Sequence, residues 1–149
     1  MAKSLLNRVN LPISIEEILN RVTRDYKLGE IVNFSYFEKG YEDLNIKLVT
    51  SKCIFVVKIF TWDRAKGRPQ AITHALLEFK KMQIPVPQVI LYNNSPLYLL
   101  SEDKQGTQLC VMEYFEGNNF KENTAAELDY VQITKSIAKI NTCSFPVPA

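Results

Sequence analysis

The stretch Ile54-Phe55-Val56-Val57-Lys58-Ile59-Phe60 places one lysine inside an otherwise apolar segment. A short apolar run rich in β-branched and aromatic residues favours a buried β-strand. An ammonium group inside such a strand costs several kcal/mol of hydration unless a counter-charge or an anionic ligand meets it. The alternative is a lysine at a sheet edge, whose stem packs while its head reaches water. Lys58 is therefore the first candidate for a functional residue.

Strand and helix signals follow one another on both sides of this segment. Ser14 and Glu17 form a capping box at the start of a helix, and Pro85 and Pro87 prevent a later helix from continuing. Ser51-Lys52 is expected to form a tight hairpin turn. The predicted order is helix 14–26, strands 30–36, 44–50 and 53–60, helix 68–82, strands 88–92, 97–102 and 108–114, and helix 124–142. The predicted fold class is α+β, with a five-stranded antiparallel sheet and a packed helix, flanked by an N-terminal helix and a C-terminal helix.

Four short motifs occur in order along the chain. They are Gly40-Tyr41-Glu42-Asp43, Val57-Lys58, Ile84-Pro85-Val86-Pro87 and Leu109-Cys110-Val111-Met112-Glu113-Tyr114-Phe115-Glu116-Gly117. In this order they resemble the aminoglycoside phosphotransferase and choline kinase-like family, over residues 28 to 142. The resemblance implies a protein kinase-like fold, in which ATP lies between a small sheet lobe and a larger helical lobe and passes its terminal phosphate to a small-molecule hydroxyl.

The resemblance also implies a division of the chain. Residues 1–117 would be the kinase-like N-terminal lobe, the nucleotide-binding half of the fold. Residues 118–149 would be the exit from the hinge and the first helix of an otherwise missing C-terminal lobe. The expected cofactor is ATP, bound weakly or only with that missing lobe, and Mg²⁺ would bind only with that lobe.

The nucleotide site implied by the resemblance draws on three parts of the chain. Its residues would be Lys58, Gly40, Tyr41, Asn45, Val56, Met112, Glu113, Tyr114 and Phe115. Lys58 would neutralise the α and β phosphates of ATP, and Asn45 would face the cleft. Met112 would border the adenine pocket or simply fill the core, with Val56 and Val32 as candidate walls and Ile90 behind them. The backbone of residues 113–115 would face the purine edge.

A phosphate-binding lysine of this kind is normally held by a glutamate on the following helix. The resemblance places that glutamate near residues 70–74, where the sequence has no acid. Glu78 is the nearest acid and the candidate partner of Lys58, although it lies about one helical turn, ~5.4 Å, too late. Either Glu78 reaches Lys58 through a shifted helix, or Lys58 is held less firmly. His74, in the same segment, is expected at the helix surface or boundary rather than as a catalytic base.

The catalytic segment of the family is not encoded in these 149 residues. That segment has the form His-Gly-Asp with an asparagine five residues beyond the aspartate, followed by a magnesium-binding aspartate. The one histidine is His74, and the one aspartate after the hinge is Asp129, whose fifth following residue is Thr134. Neither catalytic residues nor metal ligands are therefore expected, and the lobe is expected to be truncated before the catalytic loop and inactive alone.

Two other functions stay open. The chain could be a non-catalytic binding or interaction module derived from the same lobe, with the apolar stripe of residues 128–140 as its contact surface. That stripe would bind a second copy or a separate C-terminal lobe chain. The second possibility is an unrelated α+β ligand-binding domain, which requires the four motifs to be a coincidence.

Composition narrows the class of protein without identifying a function. A 46% hydrophobic and 23% charged composition is typical of a globular protein, and a net charge of +2 does not indicate nucleic acid or an anionic membrane as partner. No apolar run approaches the ~20 residues that cross a bilayer. The three cysteines, at positions 53, 110 and 143, have no metal-binding spacing. A cytoplasmic location is expected.

Overall fold

The computed structural model describes residues 11, 13–37, 43–61, 67–100, 106–116 and 127–142. Within these ranges the chain forms three helices and six strands. Their order is α1 (Ile15–Asp25), β1 (Ile31–Tyr36), β2 (Leu44–Thr50), β3 (Ile54–Ile59), α2 (Arg68–Lys81), β4 (Val89–Ile90), β5 (Tyr98–Leu99), β6 (Gln108–Glu113) and α3 (Glu127–Asn141). The predicted α+β class with an antiparallel sheet is confirmed. Each of the six strands lies within one of the six predicted strand segments, so the predicted total of five strands was one too low.

The additional strand comes from the way the chain returns to the sheet after α2. The strand order is β1-β2-β3-β6-β4, and β5 also pairs with β6. One edge of β6 pairs with β3, and the other edge pairs first with β4 and then with β5. Both returning segments are only two residues long. β6 is therefore a central strand, whose two edges are both hydrogen-bonded.

The sheet is covered by a different helix on each face. Alternation along β3 directs Phe55, Val57 and Ile59 towards α1, where they join the larger apolar core with Ile18 and Leu19. Full burial of an aliphatic side chain of this size contributes about 1.5–3 kcal/mol. The opposite face carries a smaller apolar cluster that packs on α2 and consists of Phe60, Val89, Cys110, Met112, Val56, Ile72, Leu76, Leu77 and Leu97. Lys58 alternates with the core residues of β3 and so belongs to this α2 face.

The connection between α1 and β1 is fastened to the turn between β2 and β3. Thr50 Oγ1 donates to the Leu28 carbonyl at 2.8 Å, and the Glu30 N–H donates to Ser51 Oγ at 3.0 Å. Gly29 lies between these contacts with φ at +95°, and a Cβ there would stand 2.6 Å from Ser51 Oγ. Only glycine fits this conformation and this space without strain. The hairpin turn is thereby held in one position.

The hairpin has the register expected from a turn at Ser51-Lys52. Val49 pairs with Ile54, and Asn45 pairs with Lys58. Along β2 buried and half-buried residues alternate, so that its polar residues share the α2 face with Lys58. The predicted cap of α1 is also confirmed, because Ser14 Oγ accepts the Glu17 N–H at 3.2 Å. These local elements determine which side chains surround Lys58.

The last helix, α3, presents apolar side chains to solvent. Ile133, Ile137 and Ile140 lie at helical spacing and are 38%, 51% and 39% exposed. None of the helices in the described part of the chain is long and apolar enough to span a membrane.

Candidate functional site

Lys58 has a buried counter-charge. Its Nζ lies 2.8 Å from Oδ2 of Asp43, and it donates a longer hydrogen bond of 3.4 Å to Oδ1 of Asn45. The ring of Phe60 lies 5.6 Å from Nζ, within the range of a cation–π contact. The Lys58 side chain keeps 20% of its surface exposed, whereas that of Asp43 keeps 4%. The carboxylate is therefore the deeper partner, and the ammonium group retains access to solvent.

Asp43 is held in place by more than the ion pair. The N–H of Thr61, just beyond β3, donates to Asp43 Oδ1 at 3.4 Å. Asn45 Nδ2 donates to the Asp43 carbonyl at 3.2 Å. One carboxylate oxygen thus receives a backbone N–H while the other contacts the ammonium group. This arrangement satisfies a buried charge that would otherwise be costly.

Glu78, the acid expected to hold Lys58, makes a different contact. Its Oε1 lies 2.6 Å from Nζ of Lys81, three residues further along α2. The hydrogen bond from Lys81 lowers the pKa of Glu78 below its ordinary value. The pairing of Lys58 with Glu78 is replaced by the pairing with Asp43, because side chains at i and i+3 meet on a helix surface while Asp43 already lies beside Lys58.

The sequence did contain a signal for Asp43. A hairpin that pairs Asn45 with Lys58 sets Asp43 two residues before Asn45, just ahead of β2, at a position that continues the same face of the strand. Such a diagonal neighbour is within reach of a long side chain across the strand pair. The position of the turn therefore indicates Asp43 as the acid nearest to Lys58, although the resemblance places the acid on the helix.

Val56 and Met112, both predicted to line the nucleotide site, lie opposite each other. They are register partners in β3 and β6 and share the apolar cluster beneath α2. Cys110 is the register partner of Lys58, and its burial raises the pKa of its thiol to about 12. A thiol in this state is a packing group rather than a nucleophile.

Val32 and Ile90 were also expected near the nucleotide pocket. Val32 is 67% exposed, at an irregularity in the pairing between β1 and β2. Ile90 packs against the core on the α1 face, because alternation in β4 directs Val89, and not Ile90, to the α2 face. Ile90 therefore lies on the face of the sheet opposite Lys58.

The end of β6 carries the residues predicted to face a purine. The N–H of Glu113 donates to the Gln88 carbonyl at 2.9 Å, and the N–H of Tyr114 donates to the Ile54 carbonyl at 3.3 Å. Lys47, from β2, places its Nζ 4.2 Å from the centre of the Tyr114 ring. Phe115 is 58% exposed. Two of the three backbone N–H groups are thus used within the sheet.

Parts of the predicted site are not described. Gly40 and Tyr41 lie outside the described residues, as does the loop that contains them. Among the residues that are described, no group of three or more histidine, cysteine or acidic side chains could hold a metal ion. A cavity of about 620 Å³ lies elsewhere, beside the end of α1, with Arg24, Lys27 and Glu30 among its lining residues.

Comparison with known proteins finds similarity of fold without similarity of sequence. No family model matches the chain, and no curated protein is detectably similar to it in sequence. Among solved structures the chain is similar to spectinomycin phosphotransferase, APH(9)-Ia, in complex with ADP and spectinomycin, with a TM-score of 0.69 and 11% identity. The match covers 92% of this chain and 40% of that one. The fold is therefore that of part of a kinase-like phosphotransferase, consistent with its N-terminal lobe.

Proposed function

We propose that this chain is the nucleotide-binding lobe of a small-molecule phosphotransferase. The observation that carries the proposal is the Lys58 ammonium group, held at 2.8 Å by a buried carboxylate and still 20% exposed on the α2 face. A lysine fixed in this way is a point charge able to meet a phosphate. The similarity of fold to a phosphotransferase solved with ADP supports the same reading.

The described residues suggest how the nucleotide lies. The phosphates would meet Lys58, and the base would lie beyond Val56 and Met112 towards the end of β6. Because the N–H groups of Glu113 and Tyr114 already donate within the sheet, the donor for a purine edge would be Phe115 N–H. Recognition of this kind uses the backbone and depends little on side-chain identity.

Phosphoryl transfer would require a further part of the bilobal fold. The 149 residues include no His-Gly-Asp segment, and the chain spans 40% of the phosphotransferase chain that it matches. A catalytic base and the Mg²⁺ ligands would come from that further part. We therefore expect no phosphoryl transfer by these residues alone and only weak nucleotide binding, in the range of about 1 mM, since half a cleft covers little of a ligand.

The proposal is tested by titrating the chain with MgATP and following backbone amide chemical shifts. Shifts are expected around Lys58 and Asn45 and at residues 113–115. Lys58→Met should reduce the affinity, whereas Lys52→Met, the same change at the exposed hairpin turn, should leave it unchanged. Shifts that map away from Lys58, or MgATP turnover that survives Lys58→Met, would refute the proposal.

A second function is favoured by one observation, the exposed isoleucines of α3. We propose that Ile133, Ile137 and Ile140 pack on the further part of the bilobal fold, because an apolar stripe of this kind normally indicates an interface. Sedimentation of the 149-residue chain at micromolar concentration tests this. Self-association that is abolished by Ile137→Glu would show instead that the stripe binds a second copy, as expected of an interaction module.

A further inference from the structure

We infer that Asp43 is the residue that positions Lys58 for an anionic ligand, in place of an acid on the α2 helix. The inference rests on the proposed function for its ligand, a nucleotide phosphate. The pairing itself is observed in the structure, where Asp43 Oδ2 lies 2.8 Å from Lys58 Nζ. The acid available on α2, Glu78, is paired with Lys81.

The relative burial of Lys58 and Asp43 distinguishes an acid that positions the lysine from an acid that blocks the phosphate site. An acid that blocks a phosphate site would stand on the solvent side of the lysine, where the phosphate arrives. Asp43 is instead the more buried partner, at 4% exposure against 20% for Lys58. Of the two charged groups, the ammonium group is therefore the one that keeps accessible surface.

The hydrogen-bonding capacity of Lys58 leads to the same conclusion. An ammonium group has three N–H donors. One is directed to Asp43 and a second, longer contact goes to Asn45. The third donor remains for a ligand oxygen, so that Asp43 and a phosphate can contact Lys58 together.

The position of Asp43 has a consequence for the loop before it. Asp43 directly precedes β2 and follows residues 38–42, which include the Gly40-Tyr41 pair expected over the phosphates. Its carboxylate is tied across the sheet to Lys58 and to the N–H of Thr61. Asp43 thus joins the end of this loop to the phosphate-binding lysine, a link that a helix acid would not provide.

A positioning role and a blocking role for Asp43 predict opposite effects of Asp43→Asn on MgATP binding. Loss of a negative charge beside the site should by itself strengthen the binding of an anion. If Asp43 positions Lys58, the loss of a charge-assisted hydrogen bond should outweigh this and weaken binding by about fivefold or more. Asp43→Glu, which keeps the charge, should restore part of the affinity, and Glu78→Gln, the matched change on α2, should have no effect.

A ligand-free measurement keeps this inference separable from the proposed function. In the ¹⁵N–¹H spectrum of the lysine ammonium groups, Lys58 should give a signal protected from exchange, assigned by its loss in Lys58→Met. The signal should disappear in Asp43→Asn and persist in Glu78→Gln. A signal unchanged by Asp43→Asn, or tighter MgATP binding in that variant, would overturn the inference. A chain that shows the protected signal and binds no MgATP would refute the proposed function and leave the pairing established.

Discussion

Replacing Lys58 by methionine should destabilise the fold, because it removes the ammonium group that lies 2.8 Å from the buried Asp43 carboxylate. Removal of one partner from a buried ion pair costs about 3–5 kcal/mol. Lys58 is 20% exposed and Asp43 keeps the N–H of Thr61 at 3.4 Å, and both facts reduce the penalty. We therefore expect a loss of about 2–3 kcal/mol in the free energy of unfolding. The double variant with Asp43→Asn should lose less stability than Lys58→Met alone, since the carboxylate charge is removed together with the ammonium group.

Urea unfolding followed by far-ultraviolet circular dichroism measures these differences. With a slope of about 1–3 kcal/mol per molar urea, Lys58→Met should lower the midpoint by about 0.7–3 M. Lys52→Met at the exposed turn is the matched control and should change the free energy by less than about 0.5 kcal/mol. The reasoning is refuted if Lys58→Met costs less than about 1 kcal/mol, or if the double variant loses the sum of the two single changes, which would show that the residues are not coupled.

Two further predictions concern other parts of the molecule. Gly29→Ala should destabilise more than Gly67→Ala: both glycines have positive φ, with a strain of about 1–2 kcal/mol for another residue, but only at Gly29 does a Cβ meet an atom, Ser51 Oγ at 2.6 Å. Equal losses in thermal unfolding would show that this contact is relieved without cost. Burial and a hydrogen bond to Asp25 raise the pKa of Tyr98 to about 12. The neutral phenol therefore stabilises the fold below the unfolded pKa of about 10, and this stabilisation is lost as pH rises from about 10 to 12. Tyr98→Phe should make the fall in stability shallower over that interval, and an unchanged pH dependence would contradict the assignment.

The elements that could be predicted from the sequence are those whose structure depends only on residues close together in the chain. The cap at Ser14, the alternation of β2 and the turn at Ser51-Lys52 each depend on neighbours in the chain, and each is confirmed. The domain boundary near residue 117 and the cytoplasmic location stay predictions. The roles of Lys58 and Met112 in nucleotide binding also stay predictions.

The remaining differences between prediction and structure depend on contacts between residues that are far apart in the sequence. Segments 88–92 and 97–102 were both predicted as strands, but only two residues of each pair with β6, and the extent of that pairing depends on the partner strand. The face on which Ile90 lies could not be predicted, because a two-residue strand has no alternation pattern to read. Glu78 was considered as a possible partner of Lys58, beside the alternative that Lys58 is held less firmly, because the resemblance places the acid on the helix; the structure pairs Lys58 with Asp43.

The sequence by itself indicated that a lysine lies in an apolar strand and needs a counter-charge, an anionic ligand or access to water, because burying an ammonium group without any of these is costly. Only the tertiary structure decided which acid provides the charge. Asp43 and Glu78 are both acids within one small fold, and the choice depends on strand register, on the 2.8 Å approach of Asp43 and on the contact of Glu78 with Lys81. Distances of this kind arise from the packing of β2, β3 and α2 together, and no local pattern encodes them.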